Sequence, residues 1–146
     1  MKQDQIDMMS LENQLCFPLY AASRELIKQY HPHLEKLGLT YTQYIVMLVF
    51  WQEKKMHVKE LGHKLFLDSG TLTPVLKSLE NKGLLHRYRS EMDERLVVVE
   101  ITESGEVLKE KAAAIPRAMM QQINLPANEA IELYRLLYKL LGREKE

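Results

Sequence analysis

Only three residues, Phe66-Leu67-Asp68, separate two segments patterned as helices, Val58 to Leu65 and Ser69 to Lys82. A connection that short leaves little freedom: the two helices must be near neighbours in space, at the connection length of a helix-turn-helix. Asp68 is a good cap for the second helix, and Gly83 stands just past its expected end. Two short strand-like runs follow at once, Leu84 to Arg89 and Arg95 to Ile101, around the polar turn Ser90-Glu91-Met92-Asp93-Glu94.

The flanks are helical. Leu11, Leu15, Leu19, Ala22 and Leu26 step by four and three, which predicts a helix from about Ser10 to Tyr30. His31-Pro32 is expected to end it, because a residue before proline avoids the helical region. Pro18 lies inside that span, so the helix is either kinked there or starts later. Thr40 and Gln43 have capping-box spacing ahead of the apolar run Tyr44 to Trp51. Thr102 can cap a fifth helix to about Ile123, kinked at Pro116. Pro126 opens a last helix with Leu133, Leu137, Leu140 and Leu141 on one side. The expected fold class is mainly α with a small β-hairpin.

Several function classes are disfavoured. The longest apolar run, Tyr44 to Trp51, is eight residues, whereas a membrane span needs ~20. Met1-Lys2-Gln3-Asp4-Gln5 leads into no apolar signal region, so export is not expected and the cytoplasm is the default location. A single cysteine, Cys16, rules out an internal disulfide and fits a reducing compartment. At 146 residues one domain is expected. The net charge is zero, but its distribution is uneven. Residues 54–95 carry 9 Lys/Arg against 6 Asp/Glu, while residues 1–53 carry 4 against 6 and residues 96–146 carry 7 against 8. Phosphate binding needs a local positive face rather than a high overall charge, so the basic middle supports a nucleic-acid partner.

The centre of the chain reads as a winged helix-turn-helix. The second helix starts Asp68-Ser69-Gly70-Thr71-Leu72-Thr73-Pro74, and its small hydroxylated side chains can approach base edges and phosphates closely. Its N-terminus adds backbone donors, and Lys77 can reach a phosphate or a guanine edge. By themselves Ser69, Thr71 and Thr73 fit a plain helix cap equally well. The hairpin favours DNA: the basic strand Arg87-Tyr88-Arg89 precedes a tip ending Asp93-Glu94-Arg95. In extended chain Asp93 and Arg95 share a face, where the carboxylate can aim the guanidinium at a narrow minor groove. Candidate DNA-contacting residues are therefore Asp68, Ser69, Gly70, Thr71, Thr73, Lys77, Arg87, Arg89, Asp93 and Arg95.

The run Asp93 to Thr102 resembles the wing signature of MarR-family regulators, Asp-x-Arg followed by a strand and Leu-Thr, with Ile101 in place of the leucine. Leu11 to Phe17, Leu39 to Tyr44 and Phe66 to Pro74 are similar to one branch, the organic-hydroperoxide regulators of the OhrR type, related to SarZ and MgrA. The resemblance covers nearly the whole chain and weakens after about Ile115. It implies a MarR-type dimer, with residues 1–53 and 102–146 supplying dimerisation helices and part of the core, and residues 54–101 forming the DNA-binding lobe. A two-fold dimer reads a pseudo-palindrome in duplex DNA with half-sites about one helical turn apart.

The same resemblance implies a role for Cys16, which stands at the position of the branch's peroxide-reactive cysteine. Tyr30 and Tyr41 match two tyrosines that reach that cysteine from the partner subunit, and Tyr20 is a further candidate for the same pocket. The implied function is a redox-sensing transcriptional repressor. It binds DNA when Cys16 is reduced and lets go when an organic hydroperoxide oxidises Cys16 and a low-molecular-weight thiol caps it. No cofactor and no metal are expected. Three other readings compete with it. A thiol peroxidase needs a resolving route, and the chain has no second cysteine and no cofactor motif. His31-Pro32-His33 is a weak metal candidate in a turn. A MarR-type regulator answering a small aromatic ligand, with Cys16 incidental, is the principal alternative.

Overall fold

The computed structural model describes residues 7–143; the first six and last three residues of the expected domain lie outside the described residues. A short 3-10 turn, Leu11–Asn13, leads into α1 (Cys16–Glu35) and α2 (Tyr41–Glu53). Next come β1 (Lys55–His57), α3 (Val58–Leu65), α4 (Ser69–Asn81), β2 (Leu85–Arg89) and β3 (Val97–Ile101). The chain closes with α5 (Glu103–Ala112), α6 (Ile115–Gln122) and α7 (Ala127–Leu140). It divides into two compact units, residues 1–115 and 116–146.

The first unit is built around α2, which touches α1, α3, α4 and α5. Val46, Met47 and Phe50 on α2 are fully buried, and Tyr44, Val49 and Trp51 nearly so. A helix apolar on every side must sit in the middle of others. Its start is fixed by a complete capping box: the Thr40 side chain accepts from the Gln43 backbone, and the Gln43 side chain accepts from the Thr40 backbone. Trp51 donates through Nε1 to the Gly105 carbonyl at 2.8 Å, tying α2 to α5. Leu61, Leu72, Leu76, Leu79, Leu85 and Val99 complete the core beneath the helix pair and the hairpin. In the second unit, α7 follows Pro126 and presents Ile131, Leu133, Tyr134, Leu136 and Leu140 as exposed apolar residues.

Four expectations about the elements need correction. Helix α1 starts at Cys16, not Ser10, so Pro18 falls in its first turn, where the missing amide has no intrahelical partner to lose. The helix also runs through Pro32 to Glu35. One backbone hydrogen bond is forfeited there, but the extra turn delivers Leu34 to the core, where it is 2 % exposed. Pro116 does not kink one long helix; it stands at the second residue of α6, separate from α5. Finally, Lys55–His57 forms a third strand, giving an antiparallel sheet in the order β1-β3-β2. Met56 faces Val99 across β1–β3, and Arg87 faces Val99 across β2–β3. Three residues carry no readable period, so this strand is dictated by its partner β3.

Candidate nucleic-acid interface and thiol site

The turn between α3 and α4 is closed by backbone geometry. Phe66 adopts φ 58°, a left-handed conformation that ends α3, and the Leu67 N–H donates to the Gly62 carbonyl at 3.0 Å. Gly62 is what lets the turn approach: a Cβ there would sit 2.6 Å from the Leu67 carbonyl oxygen and 3.3 Å from Leu72. In the sequence, the signal for this contact is an isolated glycine inside a helical pattern, the mark of a close approach.

Asp68 caps α4, accepting from the Thr71 N–H at 2.7 Å, and this bond holds its carboxyl below the usual carboxylate range. Leu72, Leu76 and Leu79 bury one side of α4, which leaves Ser69, Gly70, Thr71, Thr73 and Lys77 exposed. The Thr73 hydroxyl donates to the Ser69 carbonyl at 2.7 Å, bracing the first turn. The expected DNA-facing residues of this helix are thus all exposed, Ser69, Gly70, Thr71 and Thr73 in its first turns and Lys77 further along.

The wing follows from β2 and β3. Arg95 grips Asp93 through both Nε (3.0 Å) and Nη2 (3.1 Å), and the Arg95 N–H donates to the same carboxylate at 3.1 Å. These bonds hold the Asp93 carboxyl below its usual range, with Lys59 and His57 adding to the effect. The pair is as expected, but its geometry is a turn, not extended chain: the Leu96 N–H closes back on the Asp93 carbonyl at 2.9 Å. An aspartate bonding the backbone two residues on favours that turn. Arg95 itself is 90 % exposed, so the aimed guanidinium faces solvent. Arg89 braces the tip by donating to the Glu94 carbonyl at 2.9 Å. Arg87 is engaged elsewhere. Its backbone N–H and its guanidinium both donate to Glu80, at 2.9 and 3.2 Å, fastening the wing to α4.

Cys16 is the first residue of α1, with an exposed thiol beside the exposed side chains of Leu15, Phe17, Leu19 and Tyr20. The Arg24 guanidinium lies over the Tyr20 ring at 5.4 Å. Tyr30 and Tyr41 meet, their ring centroids 4.9 Å apart, and Tyr44 joins them at 5.7 Å from Tyr30. Burial raises the pKa of all three phenols, Tyr44 to about 12. Within one chain the thiol and this cluster are held apart. Tyr30 stands fourteen positions along α1 from Cys16, about 21 Å at ~1.5 Å per residue. Among the described residues, no three His, Cys, Asp or Glu side chains come together as a metal site, and no helix is long and apolar enough to cross a membrane.

Residues 28–112 match the family model described as transcriptional regulator SarA/Rot. The chain is 49 % identical over 139 residues to the organic hydroperoxide resistance transcriptional regulator of Bacillus subtilis, covering 95 % of each chain. The chain is a MarR-type transcription regulator of the SarA/Rot family. The regulator SarZ of Staphylococcus saprophyticus is 42 % identical, with 92 % of both chains covered. Among solved structures, reduced AbfR bound to DNA superposes with a TM-score of 0.76 at 36 % identity, over 92 % of this chain and 94 % of that one. AbfR comes from Staphylococcus epidermidis and has also been solved overoxidised on DNA and in a disulfide form. The winged helix-turn-helix read from the residues is therefore this family's fold, with the hairpin as its wing.

Proposed function

We propose that this MarR-type regulator is a redox-sensing repressor that binds pseudo-palindromic duplex DNA as a homodimer while Cys16 is reduced, and releases it once Cys16 is oxidised. The observation that carries the reading is Cys16: an exposed thiol at the first residue of α1, amid exposed apolar side chains, in a chain whose winged helix presents Arg95 and the start of α4. A relative named for organic hydroperoxide resistance and a DNA-bound neighbour solved in reduced form support it. We read residues 54–101 as the DNA-binding lobe and the helices of 1–53 and 102–146 as the dimerisation elements.

The chemistry uses no cofactor. The Cys16 thiolate attacks one oxygen of an organic hydroperoxide, the O–O bond breaks, and sulfenic acid and an alcohol form, with one proton taken up. A low-molecular-weight thiol then displaces water from the sulfenic acid and leaves a mixed disulfide. Tyr30 and Tyr41 of the other subunit are the phenols that meet Cys16 in the dimer, with Tyr20 alongside, and a bulky adduct drives them apart. On the DNA side, Ser69, Gly70, Thr71, Thr73 and Lys77 enter the major groove behind the Asp68 cap. Arg95, aimed by Asp93 and braced by Arg89, enters the minor groove. Arg87 contributes by fastening the wing. The protein works in the cytoplasm and consumes one equivalent of hydroperoxide per Cys16, without turning over as an enzyme.

The test compares wild type with Cys16→Ser on a duplex selected from a random pool by the reduced protein. Cumene hydroperoxide plus cysteine should release the wild type and leave Cys16→Ser bound. Release of both, or of neither, rejects Cys16 as the switch. Release of both by a small aromatic acid instead favours the ligand-responsive reading.

A further inference from the structure

Gln43 is the one polar side chain buried in the core among the described residues, at 7 % exposure. A capping box asks only that its amide reach back to the Thr40 backbone, which it does at 3.1 Å. The amide does more. Its Nε2 donates to the Ser78 hydroxyl at 3.0 Å, and its Oε1 accepts from Lys82 Nζ at 2.9 Å. Lys82 Nζ also donates to the Gly38 carbonyl, in the turn between α1 and α2. Ser78 and Lys82 are one turn apart at the C-terminal end of α4, so this amide and this ammonium join that end of the DNA-reading helix to the start of α2.

The position along α2 gives the contact its meaning. Gln43 lies between Tyr41 and Tyr44, both in the ring cluster with Tyr30. Hydrogen bonds weaken steeply outside a narrow range of length and angle, and inside a protein they act as a connected network. A shift of the first turn of α2 must therefore either carry the end of α4 with it or break these bonds. A leucine at position 43 would fill the core without making this link, and burying an amide is costly unless its bonds are made.

We infer that Gln43, with Ser78 and Lys82, is a positioning group that transmits a change at the tyrosine cluster to the DNA-reading helix. The inference rests on the redox reading above. It assigns these three residues to the ratio of DNA affinities between the reduced and the S-thiolated protein, not to DNA affinity itself, since none of them lies on the exposed face of the first turn of α4.

The experiment measures Kd for the selected duplex before and after treatment with cumene hydroperoxide and cysteine, with mass spectrometry confirming equal thiolation of Cys16 in each variant. Wild type should lose affinity by at least tenfold on thiolation. Ser78→Ala and Lys82→Met should keep the reduced Kd within about threefold of wild type, while their thiolated-to-reduced ratio falls at least fivefold towards one. Lys82→Arg, which retains a donor, should restore the ratio. Gln43→Leu should behave like the first two; if it fails to fold, Ser78→Ala and Lys82→Met decide. Variants that weaken reduced binding but preserve the wild-type ratio make the network merely structural and overturn the inference. A wild type that thiolates fully and stays bound overturns the redox reading and this inference together.

Discussion

Replacing Gly62 by alanine sets two effects of opposite sign against each other. Alanine in a helix interior is favoured over glycine by about 1 kcal/mol, so local propensity alone says that Gly62→Ala stabilises α3. The new Cβ, however, would stand 2.6 Å from the Leu67 carbonyl oxygen, closer than real Cβ contacts come. That oxygen is backbone, and the Leu67 N–H is itself bonded to the Gly62 carbonyl at 3.0 Å, so the two residues cannot separate without losing the turn. Leu72, at 3.3 Å from the same Cβ, is fully buried and closes the other exit. Overpacking of this kind costs about 1–3 kcal/mol, and a backbone obstacle belongs at the upper end. The net expectation is a loss of about 1–2 kcal/mol. Urea unfolding followed by circular dichroism should show the midpoint falling by on the order of 1 M at unchanged slope, for a slope of about 1–3 kcal/mol per M. The same shift displaces Asp68 and the start of α4, so affinity for the selected duplex should fall about tenfold or more. A variant that is more stable than wild type, with full DNA binding, would refute the claim that Gly62 exists to let the two helices meet.

Two further outcomes follow from the wing and the tyrosines. Arg95→Ala should weaken DNA binding about tenfold or more and lower the slope of log affinity against log salt by about 2 for a two-fold dimer, one contact per protomer, while thiolation of Cys16 proceeds at the wild-type rate. Loss of both properties together would make the wing a folding element. Tyr44 has a folded pKa raised to about 12, so its contribution to stability is complete below the unfolded value near 10 and is lost as pH rises towards 12. Urea stability measured from pH 8 to 11 should therefore decline more steeply in wild type than in Tyr44→Phe; parallel profiles would show that this phenol ionises freely in the folded protein.

Features set by neighbours in sequence were legible, and features set by distant partners were not. The caps at Thr40, Asp68 and Thr102 all bond to the backbone three residues on, as their spacing requires. The three-residue turn before α4 and the Asp93–Arg95 pair were equally local. Pro32 shows the limit of a local rule: the helix should have stopped there, but burial of Leu34 and Leu39 outweighs one lost hydrogen bond. Strand β1 exists because β3 offers it a ladder some 40 residues further along, which no pattern within Lys55–His57 could announce. Gln43 was visible as half of a capping box, while its bonds to Ser78 and Lys82 span 35 and 39 residues. At the candidate thiol site the residues are proposed one by one from resemblance, and one chain brings only the tyrosines together.

On the redox reading, the energy that passes from thiol to DNA is modest, and α2 is suited to carry it. Allosteric couplings of about 1–3 kcal/mol correspond to affinity changes of roughly 5- to 150-fold, comparable to making or losing one to three hydrogen bonds. A close-packed helix cannot deform gradually to absorb such a change; it moves as a rod. At its far end α2 is held by Trp51, bonded to the Gly105 carbonyl, and by Lys54, whose ammonium meets Glu106 at 2.7 Å. Lys54 also takes φ 69°, a costly conformation for a residue with a side chain, so this end is fixed against strain. A rod anchored there moves most at its opposite end, where Tyr41 and Gln43 lie. On the redox reading, then, an adduct that displaces Tyr41 acts at the long end of a lever, and α4 is the element that Gln43 holds.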